Sequence, residues 1–226
     1  MPEVARRLAE VRDRMGRAAE RAGRDPATVV LVAVSKAHPA AAIREAYGAG
    51  QRDFGENYVQ ELVSKQRELA DLVELRWHAI GRLQRNKARH VVGCALVHAI
   101  DRADLGREID RRAAAAGLRQ PVLVEVNVSG EASKGGVGPG ELPALLDDLA
   151  AYPALAVDGL MTIPPALGDP ASAAPVFRAL ARLRDEHRPL LGRGELSMGM
   201  SDDFVEAIAE GATLVRVGTA IFGSRT

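Results

Sequence analysis

Short apolar segments that alternate with longer helical segments are the feature that most constrains the fold of this chain. The first, VVLVAV at residues 29–34, is a continuous run rich in β-branched residues, typical of a parallel strand covered on both faces. Seven further segments have strand character, at residues 52–54, 77–80, 96–99, 122–128, 155–161, 195–198 and 214–217. Eight strands separated by helices predict an α/β fold, a closed (β/α)8 TIM barrel, rather than a doubly wound sheet.

Helical segments occupy the intervals between these strands. They are predicted at residues 39–49, 56–70, 84–91, 102–116, 139–151, 172–187 and 202–210, with a short tail after the last strand. An extra N-terminal helix precedes the first strand and ends near Gly23. Its apolar stripe consists of Val4, Leu8, Val11, Met15 and Ala18. Residues 163–171 are predicted to be a loop, and no linker divides the chain, so we expect one barrel domain over residues 1–226.

Composition excludes several classes of function. Lys and Arg together number 30, as do Asp and Glu, so the formal net charge is zero and nucleic-acid binding gains no support. No apolar run reaches the ~18 residues of a membrane span, and the charged N-terminus does not resemble a secretory signal. The single cysteine, Cys94, cannot form an internal disulfide, and we expect it to be buried. These features predict a cytoplasmic protein with neither nucleic-acid nor membrane partners.

Lysine is scarce, and its placement singles out one candidate nucleophile. In a (β/α)8 barrel the active face lies at the carboxyl ends of the strands. Of the four lysines, only Lys36 directly follows a predicted strand. Lys87 and Lys134 lie further into their loops, and Lys65 is predicted to be a solvent-exposed helix residue. Burial at a strand end would favour the neutral amine of Lys36, which is the nucleophilic form toward an aldehyde.

Two loops near the C-terminus supply hydroxyl groups and glycine for binding an anion. Ser197 and Ser201 lie at the end of the seventh strand, and Gly218 and Thr219 follow the eighth. The loops after strands seven and eight form the recurrent phosphate site of this fold. Each residue alone would suit a turn or a helix cap, but together they predict a phosphate site.

Seven sequence blocks, in order along the chain, resemble one protein family. They read AVSKAHP, FGENYVQE, WHAIGRLQRNK, NVSGEASKGGV, GLMTIPP, LSMGMSDDF and VRVGTAIFG. Together they look like the pyridoxal 5′-phosphate (PLP) homeostasis proteins of the YggS/PROSC family, over nearly the whole chain from Val29 to Gly223. The resemblance implies a barrel similar to the N-terminal barrel of alanine racemase, carrying PLP as an internal aldimine.

The resemblance also implies roles for particular residues. Lys36 would be the Schiff-base lysine and Arg216 the partner of the pyridine nitrogen. Asn57 and His78 would stand near the cofactor ring. The phosphate cradle would consist of Ser197, Ser201, Gly218 and Thr219.

The function implied by this family is to buffer, store or deliver PLP without substantial turnover. Arg216 beside the pyridine nitrogen would disfavour its protonation and weaken the ring as an electron sink. The chain ends soon after the eighth strand, so we do not expect the second acid/base group that alanine racemase takes from a separate C-terminal domain. The implied partners are PLP, PLP-dependent apoenzymes and free amino acids, with a monomeric or weakly dimeric state.

Two other classes of function stay open at the level of sequence. One is a weak PLP-dependent racemase or decarboxylase that acts on a small amino acid. The other is a Schiff-base aldolase or a phosphate-binding barrel enzyme, since a lysine and phosphate loops also fit a sugar phosphate. A yellow protein would exclude the second class, and the absence of steady amino-acid turnover would exclude the first.

Overall fold

A closed barrel of eight parallel strands forms the centre of the molecule. The structure, a computed structural model, describes residues 2–131, 134–165 and 169–224. Each strand pairs with its neighbours in sequence, and the first pairs with the last, which confirms the predicted (β/α)8 barrel. The strands are β1 (Val30–Val34), β2 (Asp53–Glu56), β3 (Arg76–Ala79), β4 (Leu96–Ile100), β5 (Gln120–Glu125), β6 (Leu155–Met161), β7 (Glu195–Ser197) and β8 (Leu214–Val217).

Helices cover the outside of the barrel, and one precedes it. The α-helices are α1 (Glu3–Arg21), α2 (Ala40–Gly48), α3 (Val59–Glu68), α4 (Ala103–Ala115), α5 (Leu142–Ala150), α6 (Ala174–Glu186), α7 (Phe204–Ala209) and α8 (Thr219–Phe222). Short 3-10 helices span Pro26–Thr28, Arg85–His90, Pro170–Ala173 and Arg188–Leu190. Ala132 and Ser133 of the NVSGEASKGGV block, and residues 166–168 of the predicted loop, lie outside the described residues.

Two connections differ from the sequence prediction. The segment between β3 and β4 is the 3-10 helix Arg85–His90 rather than an α-helix. It buries only Ala88, so it lacks the apolar stripe that stabilises an α-helix against a barrel. The tail after β8 contains the short helix α8, which begins at Thr219.

The alternation of side chains along the strands divides the interior into two layers. Leu31 and Ala33 of β1 point outward and pack under the helices, whereas Val32 points into the barrel. The inward apolar cluster consists of Val32, Leu96, Ala99, Leu123, Met161 and Leu214. Polar residues obey the same rule, so inward ones meet inside the barrel and outward ones meet the helices.

Helix α1 covers the side of the barrel where the first and last strands meet. Its predicted stripe is buried at Leu8, Val11, Met15 and Ala18, and the helix packs against α2, α7 and α8. After the helix, the Arg24 guanidinium donates to the carbonyl of Ile208 in α7 at 2.9 Å. The extra helix therefore joins the two ends of the barrel.

Two further expectations concern the interior and the surface. Cys94 is buried as predicted, and burial raises the pKa of its thiol to about 12. A neutral buried thiol packs like a small apolar side chain. None of the helices in the described ranges is long and apolar enough to cross a membrane.

Candidate functional site

A cavity of about 440 Å³ opens at the carboxyl ends of the strands. This volume lies within the range of small-molecule pockets, ~300–1,000 Å³. The polar residues among its lining are Lys36, His38, Asn57, Arg82, Glu125, Ser201, Asp202, Arg216 and Thr219. They come from separate parts of the chain and meet because parallel strands place all their carboxyl ends at one side of the barrel.

Lys36 lies in a tight turn directly after β1 and lines the cavity. The backbone N–H of His38 donates to the Ser35 carbonyl at 3.0 Å, which closes the turn over residues 35–38. Ala37 has a φ of 61°, a left-handed value that no other described residue except glycine adopts. Of the four lysines, all within the described ranges, Lys36 alone lines this cavity.

Lys65 is buried, so the prediction that it is exposed to solvent is wrong. Only 7% of its surface is accessible. Its ammonium donates to the Ser35 carbonyl at 2.7 Å, to Glu56 Oε1 at 2.6 Å and to Glu61 Oε2 at 3.1 Å. An ammonium has three protons to donate, so this group is fully engaged. The reason for its burial is the carboxylate of Glu56, which points outward from β2 and needs a charged partner.

Arg216 forms the base of the cavity and has 4% of its surface exposed. Its Nη1 donates to Ser197 Oγ at 2.6 Å, and its Nη2 donates to the Thr162 carbonyl at 3.0 Å. Burial lowers the pKa of Arg216 to about 10, against the opposing effect of Glu125 and Asp203. The guanidinium therefore stays protonated at neutral pH and can act only as a hydrogen-bond donor.

A series of hydrogen bonds continues from Ser197 through the inside of the barrel. Ser197 Oγ lies 2.8 Å from His98 Nδ1, and His98 Nε2 lies 3.0 Å from His78 Nδ1. His78 Nε2 lies 3.0 Å from Asp53 Oδ1 at the opposite end of the barrel. Ser197 and His98 are fully buried. We call the connected set the interior chain: Arg216, Ser197, His98, His78, Asp53 and Arg76.

Arg76 ends the interior chain with two hydrogen bonds to Asp53. Its Nε donates to Oδ1 at 2.7 Å and its Nη2 to Oδ2 at 2.5 Å. Burial acts to raise the pKa of Asp53, but hydrogen bonds from Arg76 and His78 outweigh it and lower the pKa to about 2. Asp53 is therefore ionised throughout the neutral range.

The chemistry of Asp53 and Arg216 fixes the direction of the hydrogen bonds at the two ends of the interior chain. The ionised Asp53 carboxylate only accepts, so His78 Nε2 carries a proton and donates to it. Arg216 only donates, so Ser197 Oγ accepts from Arg216 Nη1. The fully buried imidazole of His98 is neutral. Burial, reinforced by the nearby His78 and Arg216, holds the pKa of His98 well below its usual value, which favours that state.

The structure separates the predicted site residues into two groups. Six of them line the cavity: Lys36, Asn57, Ser201, Arg216, Gly218 and Thr219. His78 and Ser197 are not among the described residues that line it, because they lie within β3 and β7 and point into the barrel. They reach the cavity only through Arg216.

A hydrogen bond joins the loops after β7 and β8 beside the cavity. The N–H of Ala220 donates to Ser201 Oγ at 3.3 Å. A Cβ on Gly218 would lie 3.1 Å from the Val34 carbonyl oxygen, so glycine lets this loop approach the end of β1. Thr219 begins α8, and the first N–H groups of a helix have no acceptor inside it. Hydroxyl and N–H donors therefore gather beside the cavity.

Sequence reasoning did not identify Glu125 and Asp203 as part of this region. Glu125 lines the cavity, and burial raises its pKa, with a further contribution from Asp101. Asp203 accepts from the N–H of Met200 at 2.6 Å, and burial raises its pKa as well. The sequence did carry a signal for Glu125, because it is a single acidic residue within an apolar run. Buried charged residues are rare, so such a residue is a candidate for a functional role.

Comparison with known proteins identifies the family. A family described as "Alanine racemase, N-terminal domain" matches residues 7–226. The chain is 50% identical to the pyridoxal phosphate homeostasis protein of Pseudomonas aeruginosa, over 100% of this chain and 97% of that protein. It is 47% identical to the pyridoxal phosphate homeostasis protein of Aquifex aeolicus, over 97% of both chains.

A solved structure gives the same result. PipY of Synechococcus elongatus PCC7942, with PLP bound, is 42% identical and superposes with a TM-score of 0.84. The match covers 97% of this chain and 100% of PipY. The resemblance inferred from the sequence blocks is confirmed. The chain belongs to the pyridoxal phosphate homeostasis protein family, whose barrel is that of the alanine racemase N-terminal domain.

Proposed function

We propose that this protein binds PLP in the cavity and serves intracellular PLP homeostasis without substantial enzymatic turnover. The observation that carries the proposal is the meeting of Lys36, Arg216 and the Ser201 and Thr219 loops around one cavity. The relatives named as PLP homeostasis proteins and the PLP-bound PipY structure support it.

The residues around the cavity suit the two reactive ends of PLP. The Lys36 amine would attack the aldehyde carbon, forming a C=N bond while the carbonyl oxygen leaves as water. Ser201 and Thr219 offer hydroxyl donors for the phosphate oxygens, and hydrogen bonds to charged acceptors are the strong ones. Gly218 keeps the phosphate loop close to the end of β1. Asn57 supplies a side-chain amide that also lines the cavity.

Arg216 is the residue that limits the chemistry. Because its guanidinium only donates, a pyridine nitrogen held against it would accept a hydrogen bond and stay unprotonated. PLP supplies an electron sink when its ring nitrogen is protonated, and Arg216 opposes that state. The interior chain fixes the position of Arg216 through Ser197 and so maintains this restriction. This argument disfavours most carbanion chemistry on amino acids, although an arginine beside the pyridine nitrogen still suits a racemase.

The partners follow from the same site. PLP-dependent apoenzymes would receive the cofactor, and free amino acids would have access to it through the open cavity. The net charge of zero gives no support to nucleic-acid binding, and we propose neither nucleic-acid nor membrane partners. We propose a cytoplasmic location and a monomeric or weakly dimeric state.

The deciding experiment is a visible absorption spectrum before and after borohydride reduction, followed by mass mapping of the modified peptide. We expect a yellow protein whose reduced adduct maps to Lys36. A colourless protein whose spectrum with added PLP is only that of free PLP would contradict the proposal.

Solvent deuterium exchange at the α-carbon of alanine and serine tests the absence of turnover. We expect exchange no faster than with free PLP. Exchange at ~1 s⁻¹ or faster, in the range of ordinary enzymes, would establish a racemase or related enzyme instead.

A further inference from the structure

The turn that carries Lys36 is held in an unfavourable backbone conformation. Ala37 is the third residue of the turn over residues 35–38 and has a φ of 61°. Positive φ at this position favours glycine or asparagine, and a residue with a Cβ adopts it at a cost. Such a conformation persists only where surrounding contacts enforce it.

The residues on both sides of Lys36 are tied to β2 and α3. The Ser35 hydroxyl donates to Glu56 Oε1 at 2.7 Å. On the other side, the N–H of Ala37 donates to Glu61 Oε2 at 2.8 Å. Lys36 therefore lies between two residues that are held in place by hydrogen bonds. The two acceptors, which we call the anchors, are the carboxylates of Glu56 and Glu61.

Lys65 connects these two anchors. Its ammonium contacts Glu56 and Glu61, and its third proton goes to the Ser35 carbonyl at 2.7 Å. The side chains of Lys65 and Glu56 are 8% and 0% exposed, so this ion pair is shielded from solvent. The second oxygen of Glu56 is buried without a hydrogen-bond partner among the described residues, so the group is retained there at a cost. We call Glu56, Glu61 and Lys65 the turn clamp.

We propose that the turn clamp positions Lys36 for its reaction with an aldehyde, an inference that rests on the proposed function. The aldehyde of a ligand anchored by its phosphate near Ser201 and Thr219 occupies a fixed place in the cavity. A lysine on a rigid turn reaches that place at a much smaller entropic cost than one on a mobile loop. The clamp residues touch neither cavity nor ligand, so they act through the backbone of residues 35–37.

The test compares PLP with pyridoxine 5′-phosphate, which has the same phosphate and ring but an alcohol in place of the aldehyde. Glu61→Ala removes the acceptor of the Ala37 N–H, whereas Glu61→Gln keeps an acceptor oxygen. We expect Glu61→Ala to weaken PLP binding about fivefold to tenfold, as the loss of one partly exposed charged acceptor predicts. Pyridoxine 5′-phosphate binding should stay within about twofold of wild type, because it depends on the unaltered phosphate loops.

Two variants act as matched references. Glu61→Gln should recover most of the PLP affinity, and Glu68→Ala, an exposed glutamate on the same helix, should behave as wild type. Lys65→Met is a second disruption, expected to lower PLP affinity by tenfold or more and again to spare pyridoxine 5′-phosphate. If Lys65→Met does not fold, the comparison of Glu61→Ala with Glu61→Gln decides the test by itself.

The outcomes separate the clamp from the proposed function. If the wild-type borohydride adduct does not map to Lys36, the proposed function fails and the clamp has no role. If the adduct maps to Lys36 but Glu61→Ala leaves the ratio of the affinities for PLP and pyridoxine 5′-phosphate unchanged, only the role of the turn clamp is overturned. Equal loss for both ligands would likewise overturn it, since that is the effect of general damage to the cavity.

Discussion

Two polar regions of the barrel, one at the cavity and one beneath it, differ in how their polar groups are satisfied. The cavity rim, which we define as Lys36, Ser201 and Thr219, lines open space and is half-buried or exposed. In the interior chain, Ser197 and His98 are fully buried, and each side-chain polar group along it bonds to the next. The rim can therefore take up a ligand, whereas the interior chain contributes to the fold and to the placement of Arg216.

This comparison predicts that variants of the two regions have opposite effects. A change at the rim should alter ligand binding with little change in stability, because these three side chains are half-buried or exposed. A change in the interior chain should lower stability, because it leaves a buried donor or acceptor unpaired. The following experiments test that separation.

Lys36→Ala should have the largest effect. It removes the amine that we assign to the Schiff base, so the visible absorbance and the borohydride-trapped adduct should both disappear. The free energy of unfolding should change little, since Lys36 lies outside the barrel core. Lys87→Ala, a lysine that does not line this cavity, is the control and should keep the adduct. An adduct that maps mainly to Lys87 or Lys134 would show that the assignment is wrong.

Asp53→Ala tests the opposite end of the interior chain. It leaves the buried N–H of His78 and the guanidinium of Arg76 without their acceptor. We expect the free energy of unfolding, measured by urea denaturation, to fall by about 2–4 kcal/mol. Asp147→Ala, at an exposed position on α5, should change it by less than about 0.5 kcal/mol. A similar small change for both variants would mean that the interior chain does not stabilise the fold.

The double variant Ser201→Ala/Thr219→Ala tests the phosphate side of the rim. Each hydroxyl that bonds to a charged oxygen contributes ~1.5–3 kcal/mol, so PLP should bind well over tenfold more weakly. Pyridoxal, which has no phosphate, should bind almost as it does to wild type. Calorimetric titration with both ligands measures this difference. An equal loss for PLP and pyridoxal would remove these residues from the phosphate site.

The smallest effect concerns the pH dependence of stability through Asp53. Its pKa is about 2 in the folded protein and 3.8 as the reference for the unfolded chain. Because the folded value is depressed, this carboxylate stabilises the fold above the unfolded pKa, and the contribution is lost as pH falls toward the folded pKa. Between about pH 6 and about pH 3, the contribution of Asp53 to the free energy of unfolding should fall by about 1 kcal/mol. The gap in unfolding free energy between wild type and Asp53→Asn should narrow by that amount; a constant gap would contradict the assignment.

Much of the fold could be predicted because parallel strands have a simple signature. Strands covered on both faces are rich in apolar residues, and the segments predicted for β1 and β6 fall almost at the observed bounds. The segment before β4 could not be predicted as well, because its 3-10 form depends on how little of it touches the barrel. Local pattern carries no information about that contact.

The candidate site was predictable where a residue follows a strand and less so where it lies within one. Lys36 and Thr219 come directly after strands, so the barrel rule alone places them at the cavity. His78 lies inside β3, and only its inward direction and its partners decide that it supports Arg216 indirectly. Lys65 was misjudged because exposure is the usual state of lysine, and its burial depends on a carboxylate nine positions away.

The sequence by itself determined the order of strands and helices, the absence of net charge and the family, because these depend on residue type and spacing along the chain. Tertiary structure alone decided that Glu125 faces the cavity, which polar groups form the interior chain and which hold the Lys36 turn. The physical reason is that a buried polar group is stable only with a partner, and its partner here comes from a different strand or helix. Pairings such as Glu56 with Lys65, or His98 with Ser197, exist only once the barrel has closed.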